Sequence, residues 1–291
     1  MLATLSAIIL PILIVSALGF VWGRMGHQLE PRMVTALVTT IGTPSLVAST
    51  LTGLTVDTTI LGQMVLVAFS VFAGFAVLGI IVCKAMKLPL HSFLPSLMFP
   101  NTGNMGLPLV LFAFGKTGLA LAIVFFVVSI TLQFTIGIGI ASGSADPRRL
   151  LKMPLIYAVV FSLVFVLTDW PVPLWLSNTL SLLGGLTIPL MLNALGVSLS
   201  QLHVRSLGRA AILSAVRLGG GFLVSYGVSR AFGLEGAALG VVVLQSTMPV
   251  AVFNYLFAEL YRREPEEVAG IVVVSTVMSF VTLPLLILFV L

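Results

Sequence analysis

The first 23 residues, MLATLSAIILPILIVSALGFVWG, carry no charged side chain, and apolar runs of this kind recur along the chain. A helix needs about 20 such residues to cross the hydrocarbon of a bilayer. Of the 291 residues, 8% are charged and 59% hydrophobic, and the mean hydropathy is +1.20. A soluble domain carries about 25% charged residues, so this chain lacks the polar groups to cover a water-facing surface. The strict alternation that marks a membrane barrel is absent. The sequence predicts an all-α integral membrane protein.

Ten spans are predicted, near residues 3–23, 32–53, 59–82, 90–114, 118–141, 153–168, 174–199, 207–229, 236–259 and 267–290. The longest polar connection is SGSADPRRLLK, 142–152. The first run has no basic leader and no A-x-A cleavage site, so it is expected to be a retained span. The odd-numbered loops hold eleven Lys and Arg residues: Arg24, Arg32, Lys84, Lys87, Arg148, Arg149, Lys152, Arg205, Arg209, Arg262 and Arg263. The alternate loops hold only Lys116 and Arg230. The positive-inside rule then puts the first set in the cytoplasm and both termini outside, in a multi-pass cytoplasmic-membrane protein. The net charge of +5 sits in short loops with no interleaved aromatics, which argues against a nucleic-acid partner. The single cysteine, Cys83, excludes an internal disulfide and a cysteine metal cluster.

The two halves resemble each other at an offset of about 145 residues. Pro44 in IGTPSLVAST matches Pro189 in LTIPLMLNAL, and the interruption PNTGNMGLP (100–108) matches QSTMPVAVFNY (245–255). VVSITLQF at 127–134 matches VVSTVMSF at 273–280. Each half holds five spans, and an odd number forces the second half to enter from the opposite face. The expected organisation is a first repeat over 1–141, a cytoplasmic linker over 142–152 and an inverted second repeat over 153–291. Secondary transporters use this architecture.

Two prolines, two glycines and two asparagines in PNTGNMGLP interrupt span 4 where the hydrocarbon should be. Broken backbone survives at that depth only when buried in protein or lining a wet cavity. A half-helix must restart after the break. Asn104 is predicted as its N-cap, with Pro108 in its first turn. Ser246 or Thr247 would cap a matching half-helix in span 9, opened by Pro249. Helix N-termini present free N–H donors and about half a positive charge, which suits an anion. Inverted symmetry would bring both breaks to one crossover. The lone prolines Pro11, Pro154 and Pro284 are read as packing kinks.

NTGNMGLPL at 101–109, ten spans and paired breaks in spans 4 and 9 resemble the auxin efflux carrier family. That family includes plant auxin exporters and bacterial carriers of malonate and other organic acids, and its fold is related to that of bile acid/sodium symporters. The plant members' long hydrophilic loop between spans 5 and 6 is about a dozen residues here, which points to a minimal bacterial or archaeal form. The resemblance implies a scaffold domain of spans 1, 2, 6 and 7, often dimeric, and a transport domain of spans 3–5 and 8–10. It implies elevator-like movement of one against the other.

Arg217 in SAVRLGGG lies mid-span, where a charge is costly and marks function by default. It would either attract a carboxylate or satisfy backbone carbonyls at the crossover, where other carriers of this architecture bind sodium. The run Gly219–Gly221 would let another helix approach closely. Asn193, Asn254 and Gln133 are buried amides that serve either packing or a site. Thr43, Ser45 and Ser49 around Pro44 would face Asn193 across that site. All nine carboxylates (Glu30, Asp57, Asp146, Asp169, Glu235, Glu259, Glu264, Glu266, Glu267) fall at span ends or in loops, so an intramembrane proton relay is not expected. Asp57 is the nearest candidate. His27, His91 and His203 lie near one face and no nucleophile sits in a catalytic context, so an enzyme, a cofactor and a metal site are all unexpected.

The chain therefore reads as a secondary carrier of a small carboxylate, auxin-like or malonate-like. The predicted binding residues are Asn101, Thr102, Gly103, Asn104, Gln245, Ser246, Thr247, Asn193 and Ser45. Pro100, Pro108 and Pro249 would be the crossover prolines and Arg217 the fixed charge. An anion channel or uniporter is the alternative, and an intramembrane enzyme the least favoured reading. The coupling ion, sodium or proton, stays open.

Overall fold

The computed structural model describes residues 2–26, 31–52, 58–144, 147–168, 170–202 and 206–291. Within them all regular structure is helical, apart from one isolated bridge discussed below. Glu30, Asp57, Asp146, Asp169, His27, His203 and Arg205 lie outside the described residues, as do the side chains of Arg32 and Arg149.

Helix α1 (Leu2–Arg24) is the uncharged N-terminal run, ending on Arg24. Helices α2 (Pro31–Leu37) and α3 (Thr43–Thr52) make one rod, joined by a π turn at Val38–Gly42. Helix α4 (Thr58–Ala85) is long and apolar. Helix α5 (Leu90–Met98) stops at the predicted break, and helical backbone resumes with a π turn at Thr102–Gly106 that runs into α6 (Leu107–Leu132). Gly115, at φ 64° and ψ −159°, bends α6 where spans 4 and 5 were expected to part. Such a φ suits glycine, which has no Cβ to clash. A third π turn, Gln133–Gly137, leads into α7 (Ile138–Ser142), and a short 3₁₀ turn at Pro147–Lys152 follows.

In the second half, α8 (Pro154–Thr168) is followed by α9 (Leu174–Gly185) and α10 (Thr187–Gln201). Helix α11 (Leu207–Ala231) carries Arg217. Helix α12 (Gly236–Ser246) ends at the second break, α13 (Val252–Leu260) resumes after it, and α14 (Pro265–Val290) completes the bundle.

Six stretches among the described residues are long and apolar enough to cross a membrane: Leu5–Arg24, Thr59–Ala85, Thr102–Ser142, Leu174–Gln201, Leu207–Ala231 and Pro265–Val290. The remaining expected spans are short or interrupted. Span 6 has 15 helical residues, and spans 4 and 9 break at mid-length. The fold is that of an integral membrane helical protein, with many of its large apolar side chains facing outward, as lipid requires.

The helices pack as two groups. Helix α1 lies along α10, and α3 lies against α8 and α9. The others pack mainly on one another: α11 on α14 and α12, α6 on α12 and α4, and α4 on α5; between the groups, α1 and α3 touch α6, and α10 touches the π turn at Thr102–Gly106. The candidate site lies between the groups.

Candidate functional site

The two breaks cross. Pro100 and Val250 pair as an antiparallel bridge, flanked by Asn101 N–H donating to the Pro249 carbonyl (2.7 Å) and Ala251 N–H donating to the Phe99 carbonyl (3.1 Å). Backbone that leaves its own helix thus finds partners in the other break, as buried amides must. Serines at equivalent places in the two VVS stretches hold one break each. Ser129 Oγ accepts from Thr102 Oγ1 (3.2 Å), and Ser275 Oγ accepts from Val250 N–H (3.0 Å). A third tie joins the halves: Gln133 Nε2 donates to Asn254 Oδ1 (3.0 Å), and Asn254 Nδ2 donates to the Phe99 carbonyl (3.0 Å).

Four half-helix ends meet here. The two C-terminal ends converge on Arg217, which is 2% exposed and so does not reach either face. Its Nη1 donates to the Leu97 carbonyl in the last turn of α5 (2.8 Å), and its Nη2 to the Ser246 carbonyl at the end of α12. The guanidinium lies over the Phe75 ring, 4.3 Å from its centre. Arg217 therefore meets the negative ends of two helix dipoles. Gly221, one turn further along α11, makes room for this. A Cβ there would come within 2.5 Å of the Ser246 carbonyl and 3.1 Å of Arg217 Nη2. Gly219, in the same run, faces open space.

The two N-terminal ends converge on a cavity of about 370 Å³. Asn101–Asn104 and Ala251–Phe253 line it from one helix group, with Phe126, Gln133 and Phe134. Val38, Thr39, Thr40, Thr43, Lys152 and Met191 line it from the other. A second cavity of about 400 Å³ adjoins it, sharing Thr39, Asn104, Ala194, Val252 and Phe253 and extending to Gln201 and Leu202. The first N–H groups of a helix have no intrahelical acceptor, so the turns at Gly103–Asn104 and Val252–Phe253 offer donors here. Asn101 is 4% exposed, and its Nδ2 has no hydrogen-bond partner among the described residues. Among the described residues, no carboxylate lines either cavity.

Two capping assignments need correction. Asn104 is not an N-cap. The bond from Asn101 to the other break, and that of Thr102 N–H to the Pro100 carbonyl (2.8 Å), carry the chain into helix three residues earlier. Asn101 takes the cap position without a side-chain cap bond, and Asn104 lies inside the π turn, half-buried, lining both cavities. Ser246 and Thr247 do not open a half-helix either. They close α12, with Thr247 N–H bonded to the Val243 and Leu244 carbonyls, and α13 starts only after Ala251. Pro249 belongs to the extended crossing strand, while Pro108 does lie in the first turn of α6.

The predicted residues divide. Pro100, Asn101, Thr102, Gly103 and Asn104 line the first cavity. Gln245, Ser246, Thr247, Asn193 and Ser45 line neither cavity. The Gln245 amide is fully buried against Gly106, with neither amide atom partnered among the described residues. The backbone of Asn193 packs on Gly19 of α1. Thr43, one residue before Pro44, reaches the cavity where Ser45 and Ser49 do not. Sequence reasoning missed Thr39, Lys152 and the aromatic wall of Phe126, Phe134 and Phe253. It also missed that all three π turns contribute lining residues. Such turns occur often at functional sites, and no composition signal marks them.

A family model described as membrane transport protein matches residues 140–287. A protein of Methanothermobacter thermautotrophicus, named an uncharacterized transporter, is 31% identical over 193 residues, covering 64% of this chain and 63% of that protein. One of Methanocaldococcus jannaschii, named likewise, is 25% identical over 201 residues, covering 65% and 64%. The chain thus spans just under two thirds of the length of these curated relatives.

Proposed function

The chain belongs to the membrane transport protein family, the auxin efflux carrier-like family that its NTGNMGLPL motif resembles, and from that premise we propose that it is a secondary active transporter of a small organic anion. The observation that carries this is the convergence of two half-helix N-termini on one cavity that no carboxylate lines among the described residues. Donors at Gly103, Asn104, Val252 and Phe253 suit a carboxylate head, and Asn101 and Asn104 add amides. Phe126, Phe134 and Phe253 accept an apolar body. The volume falls in the range of small-molecule sites.

The ten spans form two inverted repeats in this reading, with the crossing strands as the transporter crossover. Helices α1–α3 and α8–α10 are the scaffold, through which two copies would pair, and the rest is the transport domain. A site at the seam between two helix groups is what an elevator movement needs. Both cavities reach residues beside loops that the positive-inside rule assigns to the cytoplasm, Lys152 and Gln201–Leu202. The molecule is thus open to the cytoplasm in this conformation. Arg217 holds the carbonyls that a coupling cation would otherwise take.

The test is counterflow in proteoliposomes with labelled malonate and labelled indole-3-acetate, for the wild type and Asn104→Ala. Saturable counterflow of either acid, lost in the variant, is expected. Flux without saturation or counterflow would favour the channel reading. A chemically altered solute would favour an enzyme.

A further inference from the structure

Among the described residues, Lys152 is the one charged residue in the lining of either cavity. It ends the 3₁₀ turn at Pro147–Lys152, and Met153, Pro154 and Leu155 continue the same wall into α8. The turn is fixed beside it, because Tyr157 Oη donates to the Leu151 carbonyl (2.6 Å). Lys152 is exposed, and no carboxylate pairs with it among the described residues. An unpaired ammonium at the rim of an apolar-walled cavity faces low dielectric on one side, where its field is screened less than on an open surface. The same cavity is lined by the amide-rich turn at Asn101–Asn104.

We propose that Lys152 is the charge-selecting residue of the cavity: it draws anions in from the cytoplasmic rim and excludes cations, ahead of the amides that hold the anion deeper. Resting on the transporter reading, this gives Lys152 a role beyond that of a loop charge fixing topology. A topological charge acts once, at insertion. A selecting charge sets the cavity's potential in the folded protein, falls off with salt, and acts on KM from one side and not on the maximal rate.

The test uses a reporter that needs no substrate. Ala194→Cys places a thiol in the lining of both cavities, in a Cys83→Ser background that removes the native buried thiol. Second-order labelling rates are measured with an anionic sulfonate and a cationic trimethylammonium thiosulfonate reagent. Adding Lys152→Gln is expected to lower the anionic-to-cationic rate ratio about tenfold, the low end of electrostatic focusing in clefts. Lys152→Arg should keep the ratio, and high salt should erase the difference. A ratio that moves less than twofold in Lys152→Gln overturns the proposal. In parallel, the cytoplasmic-side KM for malonate or indole-3-acetate should rise about tenfold in Lys152→Gln with the maximal rate unchanged. A shifted ratio without wild-type flux of either acid would support Lys152 and remove those substrates from the transporter reading. Wild-type flux with an unmoved ratio and KM would do the reverse.

Discussion

The crossing has two unlike sides. On one, the C-terminal ends of α5 and α12 share a buried guanidinium and are closed to solvent. On the other, the start of the α6 helix and the start of α13 open on a cavity with no carboxylate among its described lining residues. The elements are alike, four half-helices whose ends meet at one crossing. Their ends differ in sign, and each sign is treated differently. The negative ends receive a permanent cation from α11, and the positive ends are left for something that arrives. Substitutions on the closed side should therefore act on stability, and those on the open side on transport.

The largest effect is expected from Arg217→Ala. It removes two charge-assisted hydrogen bonds and leaves the carbonyls of Leu97 and Ser246 buried without a donor, a loss of about 2–5 kcal/mol. Thermal unfolding in detergent should show it directly, with flux falling as the fold does. Arg217→Lys keeps the charge but not the planar fork, so it should fall between. An unchanged unfolding temperature in Arg217→Ala would erase the distinction between the two sides.

Next in size is Asn104→Ala on the open side. Asn104 lines both cavities and makes no cap bond. Counterflow should fall at least tenfold, while stability changes by less than about 0.5 kcal/mol. A loss of stability comparable to that of Arg217→Ala would show that the open side is structural as well.

The two sides were not equally legible in the sequence. A charge in an apolar run announces itself, and SAVRLGGG led to a buried Arg217 with carbonyl capping among its open uses. The breaks were also legible, because two prolines, two glycines and two asparagines crowd nine residues of PNTGNMGLP, whereas a lone proline such as Pro11 or Pro284 stays inside its helix. The caps were not. Asn104 and Ser246 have good capping chemistry, but the bridge between the breaks provides the backbone partners instead, and a pairing 150 residues apart, Pro100 with Val250, leaves no local mark. The cavity wall was hidden for the same reason. Thr43 and Ser45 look equivalent in IGTPSLVAST, yet two residues apart on α3 they face different ways, and the packing of α3 decides that Thr43 is the one at the seam. Lys152 was visible as a loop charge, yet its place in the lining depends on how α8 packs.

A smaller effect separates glycines within one run. Gly221→Ala puts a methyl 2.5 Å from the Ser246 carbonyl oxygen, so α11 and α12 must part, at about 1–3 kcal/mol. Gly219→Ala meets open space and should be neutral or slightly stabilising, since alanine favours helix. Unfolding of the two variants side by side measures the closeness that Arg217 requires. Equal effects would mean that the α11–α12 approach is looser than the geometry indicates.

The smallest expected effect is the removal of sodium. In a broken-helix carrier a coupling cation is held by unwound carbonyls and half-helix C-terminal ends. Here the last-turn carbonyls of both C-terminal ends already bind Arg217, a cation that cannot leave or run down a gradient. Replacing sodium by choline on both sides of the vesicle should change counterflow by less than twofold. A sodium dependence would mean that a cation finds ligands elsewhere at the crossing. The fully buried Gln245 amide, unpartnered beside Gly106, would then be the first place to look, with Gln245→Leu as the variant that should abolish the dependence. Sodium independence retained in wild type but lost in Arg217→Ala, where sodium could fill the vacated carbonyls, would tie the closed side to the energetics of transport as well as to the fold.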